Sequence, residues 1–315
     1  MIRLILRRLL AVIPTLIIVT FGVFMLVSLM PSDPAVNAAG ANATAVEVAA
    51  AAKRLHLNDP LLSQYWRWVD NAVHGDLGVS YVRAVPVSDE LQARVPVTLS
   101  LIIAATVFAL LIAIPLGILS GLRPNGAIDN VSRTYASLAI SIPGFVLAQI
   151  LVVIFAIDLK WLPPSGFVKF SDSPSEWLRY IALPAISLGV AIGAAITRQL
   201  RAALVDELDA NHIRTSWAIG GAAPRVVGRH GLKNAAIPAI TIVGLQIAGL
   251  VGGTVIVEQI FSIPGLGTYL LGGIVSGDLP VIQGCVLVLV VIAITMSLVV
   301  DILYGLLNPK VRVAA

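Results

Sequence analysis

The chain has 315 residues, of which 58% are hydrophobic and only 12% charged, and its mean hydropathy is +0.94. Those values exclude an ordinary soluble domain, in which about a quarter of the residues are charged. The net charge of +4 is distributed as membrane topology requires and gives no sign of a nucleic-acid partner.

Six windows carry no charged residue: 9–30, 97–122, 134–157, 180–197, 235–257 and 281–300. They run 18 to 26 residues, and a helix needs about 20 to cross the hydrocarbon core of a bilayer. The expected fold class is all-α, a polytopic membrane protein with six transmembrane helices. Segments on one side of these spans (1–8, 123–133, 198–233 and 308–315) hold 13 Lys and Arg, against 8 in the longer segments 31–95, 158–179 and 258–280. The positive-inside rule therefore puts both termini and the 198–233 segment in the cytoplasm. The chain divides into a tip and first span (1–30), an outer segment (31–95), and a five-helix core (96–315) carrying a polar loop at 198–234.

In chain order, the first window follows Arg3, Arg7 and Arg8 and is 22 residues long. A signal peptide has only roughly 7–15 apolar residues, so an uncleaved span is expected rather than removal near Ala41-Asn42-Ala43. The Ala-rich stretch 35–52 suits a helix. Asn58-Asp59-Pro60 then reads as a helix start, a capping side chain ahead of a first-turn proline. Leu61, Leu62, Tyr65, Trp66, Val69, Ala72 and Val73 follow at helical spacing. That apolar stripe suits either a helix lying in the outer membrane interface or one packed on its own outer domain.

Within the spans, Gly117/Gly121, Gly189/Gly193 and Gly249/Gly253 are pairs that let helices pack backbone to backbone. Pro115, Pro143 and Pro184 should kink or shorten their helices. Gln149, Thr241 and Gln246 are the polar groups at mid-membrane, either lining a path or hydrogen-bonding between helices. No charged side chain sits near the centre of a span, which argues against an ion-coupled transporter. Cys285, the sole cysteine, is expected to be a small packing residue.

The segment 198–238 is a charged island between apolar runs. Leu204, Val205, Leu208, Ile213 and Trp217 recur at helical spacing, and Gly220-Gly221 stops that helix. Pro224 opens a second helix, in which Arg225, Arg229 and Lys233 fall four apart on one face. Two short helices with a glycine elbow make a lever that a second protein could grip; a plain loop made basic by topology fits as well. Further on, 258–277 is glycine-rich and broken by Pro264, which suits an outer re-entrant or interfacial segment better than a seventh span.

No enzyme chemistry is expected. There is no Walker A phosphate loop. Gly265-Leu266-Gly267 lacks the third glycine of a dinucleotide loop, with Leu270 in its place. His56, His74, His212 and His230 are scattered without metal-ligand spacing, and no Gly-x-Ser-x-Gly elbow occurs.

Several motifs together carry a resemblance that runs nearly end to end. They include Arg7-Arg8-Leu9-Leu10 with Ile13-Pro14-Thr15, Met30-Pro31-Ser32-Asp33-Pro34, and His74-Gly75-Asp76-Leu77-Gly78. Trp161-Leu162-Pro163-Pro164-Ser165-Gly166 and the close from Asp301 through Asn308-Pro309-Lys310-Val311-Arg312 extend it. The most distinctive are Glu258-Gln259-Ile260-Phe261-Ser262-Ile263-Pro264-Gly265-Leu266-Gly267 and Asp278-Leu279-Pro280-Val281-Ile282-Gln283-Gly284. The chain resembles a permease subunit of the bacterial dipeptide/oligopeptide/nickel ABC importers, of the dipeptide permease B type with a long first outer loop.

The resemblance implies a type I ABC importer permease fold in the bacterial inner membrane. It implies that the island is the ATPase-coupling loop, carried by Asp209, His212, Ile213, Arg214, Thr215, Ser216, Trp217, Gly220, Arg225 and Arg229. Ser216 stands where this branch writes alanine, and Trp217 and Ile219 stand where basic residues are common. Glu258, Pro264, Gly265, Gly267 and Asp278 match the outer-gate signature. The implied partners are a second permease, two ATP-binding subunits or domains, and an extracytoplasmic solute-binding protein. The chain itself would hold no cofactor, since the partner ATPases bind ATP and Mg. The implied cargo is di- or oligopeptides, with nickel, glutathione and haem open within the family. A self-sufficient secondary transporter or channel is the alternative from another class, and a membrane scaffold cannot account for the coupling-loop match.

Overall fold

Prolines, glycines and short polar side chains decide where these helices stop. The computed structural model describes residues 2–29, 33–40 and 42–307, without side chains at 2–9, 11, 301 and 303–307. The motif positions 30–32, Ala41 and the close from Asn308 lie outside the described residues, as do the side chains of Arg3, Arg7 and Arg8. Among the described residues the chain is helical with no strand beyond one isolated bridge, Val79 to Pro86.

The chain separates into two units, one of residues 1–8, 100–262 and 293–315 and one of residues 9–99 and 263–292. In the second unit, α1 (Ile2–Ser28) supplies most of the first window. The Ala-rich stretch forms two helices rather than one, α2 (Pro34–Ala39) and α3 (Ala45–Arg54), parted at Gly40 with φ +100°. Thr44 and Glu47 close a reciprocal capping box on α3, satisfying two of its orphan N–H groups. α4 (Leu61–Val73) begins without the expected side-chain cap. Asp59 instead pairs with Arg67 at 2.6 Å, while Gln64 Nε2 donates to the Leu57 and Asp59 carbonyls. Tyr65 of α4 is buried against Phe21 and Phe24 and meets Thr20 Oγ1 at 3.0 Å, so this helix packs on its own unit through that face.

The other unit is built on the remainder of α5 (Val87–Leu122), α6 (Ala127–Ser141), α7 (Gly144–Leu151) with a π segment (Val152–Asp158), α8 (Pro174–Leu208) and α11 (Lys233–Ile260). A Cβ on Gly117 or Gly121 would come within 3.0 Å of Leu200 or Leu204. One on Gly189 or Gly193 would meet the Ala105 or Ala109 carbonyl at 2.8 or 3.1 Å. Both pairs therefore seat α8 against α5 as small-residue packing requires. The third pair does no such work within this chain, since nothing lies within 4 Å of a Cβ on Gly249 and only Leu188, at 3.6 Å, near one on Gly253.

Of the three prolines, only Pro143 interrupts a helix. It cannot donate a backbone hydrogen bond, and it forces Ile142 into an extended conformation with ψ 118°. The window 134–157, expected as one continuous span, is therefore two helical pieces bent by 99°. Among the described residues four helices are long and apolar enough to cross a membrane, or five if the bent pair is one span. Val12–Ser28 of α1 is a shorter apolar stretch among the described residues, so the six-span count depends on it. α12 (Leu266–Ser276) has 11 residues, about 16 Å of helix and too short to cross. α13 (Leu279–Leu307) carries the sixth window, and Cys285 is fully buried on it.

Candidate functional site

The polar island is built differently from the two-helix reading. α8 is 35 residues long, about 52 Å at 1.5 Å per residue, so it outruns a hydrocarbon core of about 30 Å. Leu204, Val205 and Leu208 are thus the end of span four and not part of a separate lever helix. The chain breaks at Asp209-Ala210, where Ala210 turns extended with ψ 145° and the next helix begins without a side-chain cap. α9 (Asn211–Ala218) follows as an eight-residue helix of its own.

α9 is anchored at three points. Ile213 is fully buried, so it seats the helix within this chain instead of reaching out to a partner. Glu207 Oε1 lies 2.9 Å from His212 Nε2 and accepts from Asn234 Nδ2 at 2.7 Å, joining α8, α9 and α11 through one oxygen. At the C-terminal end, Gly220 has φ +82°, its N–H donates to Trp217 O at 3.0 Å, and the Gly221 N–H donates to Ser216 O at 3.0 Å. That is a Schellman end, with Gly220 in the left-handed position expected of it. Gly221 is the tighter residue, because a Cβ there would lie 2.6 Å from Ser216 O and 2.8 Å from Val226 Cγ2.

The outward face of α9 and its exit carries Asp209, His212, Arg214, Thr215, Trp217 and Gly220, all exposed, with Ser216 half-buried. Arg214 Nη2 reaches Asp209 Oδ1 only at 3.4 Å, leaving both groups open to a partner. Ile219, beside the exposed Trp217, is 81% exposed.

The second helix also differs. α10 (Ala223–Arg225) is a single turn opened by Pro224, and Val226–Leu232 continues as a π segment into α11. Its wider i→i+5 turn means that the four-residue spacing of Arg225, Arg229 and Lys233 no longer repeats on one face. All three cations are nevertheless exposed. Gly231 lets this segment close on α8, since a Cβ there would meet Leu208 at 3.0 Å.

Beside the island, Asp129 of α6 is fully buried and accepts from Arg201 Nε at 2.7 Å and Nη2 at 2.9 Å, from Arg133 Nη2 at 2.8 Å, and from the Asn125 N–H at 2.8 Å. Neither Asp129 nor Glu207 stood out in the sequence, because the partners that tie them to another helix, Arg201 and Asn234, lie 72 and 27 residues away.

The mid-span polar groups do not come together in one site. Gln149 is exposed on α7, and Thr241 is exposed with its hydroxyl donating to Ile237 O of its own helix. Gln246 lines a cavity of about 330 Å³ walled by Gly144, Leu188, Gly249 and Gly253. Neither glutamine makes an interhelical hydrogen bond among the described residues.

The outer signatures form two knots. Gly166, with φ +109°, donates its N–H to Phe261 O at 2.7 Å, and Glu258 is fully buried on α11. In the other unit, Asp278 accepts from Ser80 Oγ at 2.5 Å, Tyr81 N–H at 3.1 Å and Val82 N–H at 3.3 Å. Pro264 and Gly265 precede α12, Gly267 lies buried in its first turn, and the Leu266 N–H donates to Thr98 Oγ1 at 2.8 Å. No group of three or more metal-binding side chains occurs among the described residues.

Residues 113–313 match the family described as binding-protein-dependent transport system inner membrane component, and residues 1–102 match that family's N-terminal region. The glutathione transport system permease protein GsiC of Escherichia coli O6:H1 (strain CFT073) is 41% identical over 99% of both chains. Its counterparts from Escherichia coli (strain K12) and Shigella flexneri serotype 5b (strain 8401) are each 40% identical over the same shares.

Proposed function

The chain belongs to the binding-protein-dependent transport system inner membrane component family, and from that premise we propose that it imports short peptides. It is a multi-pass inner-membrane permease subunit of an ABC importer. In this reading it lines the translocation path with a second permease, takes cargo from a solute-binding protein, and is driven by two ATP-binding subunits that hold ATP and magnesium. Glutathione, a tripeptide, is the first cargo to test, because the relatives are named for its transport. Both termini lie in the cytoplasm in this reading, on the side of α9.

The observation that carries the coupling role is the form of α9. One face is locked to the chain by Ile213 and Glu207, and the other offers Arg214, Trp217 and Ile219 to water. An anchored helix with an unpartnered aromatic is suited to docking in a cleft of a second protein. Rocking of the spans about a midplane path follows when the docked partners close.

The test expresses the whole transporter in cells lacking their own glutathione and peptide importers and follows labelled glutathione and dipeptide uptake. Trp217→Ala should keep membrane levels and lose ATPase co-purification and uptake together. Uptake of neither peptide by the intact transporter would overturn the cargo reading, and wild-type uptake by Trp217→Ala would overturn the docking role.

A further inference from the structure

A groove of about 290 Å³ lies between α6 and α8, and three arginines line it, Arg133, Arg198 and Arg201. All of it belongs to the unit that holds residues 100–262. The two helices pack through Ala136, Ala139 and Ala194, side chains small enough to bring the guanidiniums together. Arg133 Nη2 and Arg201 Nη2 reach the same oxygen of Asp129, at 2.8 and 2.9 Å, so those nitrogens lie no farther apart than the two distances summed. Arg198 precedes Arg201 by three residues on α8, which puts both on one helix face with about 5–6 Å between their Cβ atoms.

Three guanidiniums thus line the groove, and one carboxylate offsets them by direct contact. Hydrogen bonds from Arg201 hold the Asp129 carboxyl well below the usual carboxylate range, so it is ionised and cancels a single charge. Asp206, farther along α8, adds to the field at Arg201 but does not line the groove. Arg198 is exposed and makes no hydrogen bond or ion pair among the described residues. Arg201 meets Asp129 through Nε and Nη2, and Arg133 makes its contacts through Nη2, which leaves Nη1 of each for another acceptor. An anion with several oxygens satisfies such a set of planar donors.

The groove's position says what carries that anion. Arg133 immediately precedes the uncharged window 134–157, and Arg198 immediately follows the window 180–197, so both stand where their spans leave the hydrocarbon. From there the groove continues along α6 to Ile140 and Ser141, about 12 Å from Arg133 at 1.5 Å per residue. Ile140 is exposed, as is the neighbouring Leu138. Ser137 lies one turn from Arg133, and its hydroxyl has no partner among the described residues. Cations at one end, a hydroxyl midway and an apolar wall at the other suit a ligand with a phosphate, ester oxygens and an acyl chain. A free phosphate fills only the arginine end.

We propose that this groove binds one anionic phospholipid, in the leaflet on the α9 side of the membrane. Arg133, Arg198 and Arg201 hold its phosphate, and the start of an acyl chain lies along Ile140. The phosphate gains charge-assisted hydrogen bonds, and a basic pocket between spans favours an anionic headgroup. A zwitterionic headgroup brings an ammonium group against Arg198 and is disfavoured.

The experiment places the assembled transporter in phosphatidylcholine nanodiscs with a trace of phosphatidylglycerol that carries a diazirine near the head of one acyl chain. Crosslinks formed on illumination are mapped by peptide mass spectrometry. They should concentrate on residues 136–141 and be displaced by unlabelled phosphatidylglycerol, but not by inorganic phosphate at constant ionic strength. The same diazirine on phosphatidylcholine should label that stretch several-fold less. Arg198→Gln, which breaks no contact among the described residues, should reduce phosphatidylglycerol labelling about fivefold, the effect of roughly one cation at a membrane surface. Arg198→Lys should keep most of it. Equal labelling by the two lipids, labelling that survives Arg198→Gln, or displacement by inorganic phosphate would overturn the lipid site. Loss of the ATPase from purified Arg198→Gln at unchanged membrane levels would overturn it too, by giving the groove to a protein partner.

Discussion

Replacing Gly221 by alanine should damage the α9 elbow more than replacing Gly220, although Gly220 is the residue with the left-handed backbone. At Gly221 the added Cβ meets Ser216 O at 2.6 Å and Val226 Cγ2 at 2.8 Å, against about 3.5–4.0 Å for an ordinary contact. Relief requires a movement near 1 Å by a carbonyl that is also the acceptor of the Gly221 N–H at 3.0 Å. Overpacking costs about 1–3 kcal/mol and the lost hydrogen bond about 0.5–1.5 kcal/mol, so about 2–4 kcal/mol in all. At one decade per 1.4 kcal/mol, that is roughly a 30-fold to several-hundred-fold shift toward an unseated α9. At Gly220 nothing lies within 4 Å of the new Cβ, and the penalty is the φ of +82° alone, about 1–2 kcal/mol. The assay is the fraction of ATPase retained on affinity-purified permease, with uptake measured in the same cells and immunoblotting to confirm equal membrane levels. If Gly220→Ala loses as much ATPase as Gly221→Ala, or more, the steric reasoning is wrong.

Three further outcomes are expected. Asp129→Asn leaves Arg201 and Arg133 without their shared carboxylate; breaking a buried pair costs about 3–5 kcal/mol, reduced here to about 1–3 because Arg201 and Arg133 remain 22% and 50% exposed. The variant should melt earlier in detergent, and an unchanged melting temperature would show the cluster to be idle. Asp278→Asn removes the charge from three hydrogen bonds to Ser80, Tyr81 and Val82, each worth about 1.5–3 kcal/mol to a charged group. Trypsin added to spheroplasts should then cut at Arg83 at least tenfold faster, and equal rates would refute the role. On a Cys285→Ser background, single cysteines at Ser88 and Ser276 should label from outside with an impermeant thiol reagent and those at Ala127 and Asp209 should not; Asp209→Cys labelling in intact cells would overturn the topology.

What could be read in advance was whatever depends on neighbours along the chain. The spans are visible because a window without charge has no other stable setting than lipid or a deep core. Gly220 is visible because few residues tolerate a left-handed helix end. Pro143 announces a break, but its 99° angle is set by what the two pieces pack against. Gly221 reads as a second, redundant glycine until Val226 is folded back onto it. The π segment is equally silent, since nothing along Val226–Leu232 marks a five-residue turn, and the use of Gly231 shows only where it passes Leu208. Asp129 and Glu207 were hidden for the same reason, since beside their near neighbours Arg133 and His212 they acquire the partners that tie helices together, Arg201 and Asn234, only from distant stretches.

These long-range contacts decide what α9 can move. It hangs from α8 by the two residues Asp209 and Ala210, which alone would make a loose hinge. Glu207 spans that hinge to His212 and also holds Asn234 at the start of α11. Ile213 fixes the same helix from its buried face. The ends of α8 and α11 in turn share one apolar cluster, Leu200, Leu204, Ala235 and Ala239, with Gly117 and Gly121 of α5 closed onto Leu200 and Leu204. A torque on α9 therefore reaches the ends of three spans together, while the break at Pro143 lets α7 take a different direction from α6. Close-packed elements of this kind change by discrete rearrangement rather than by bending, and that is the mechanical property that the coupling role proposed for α9 requires.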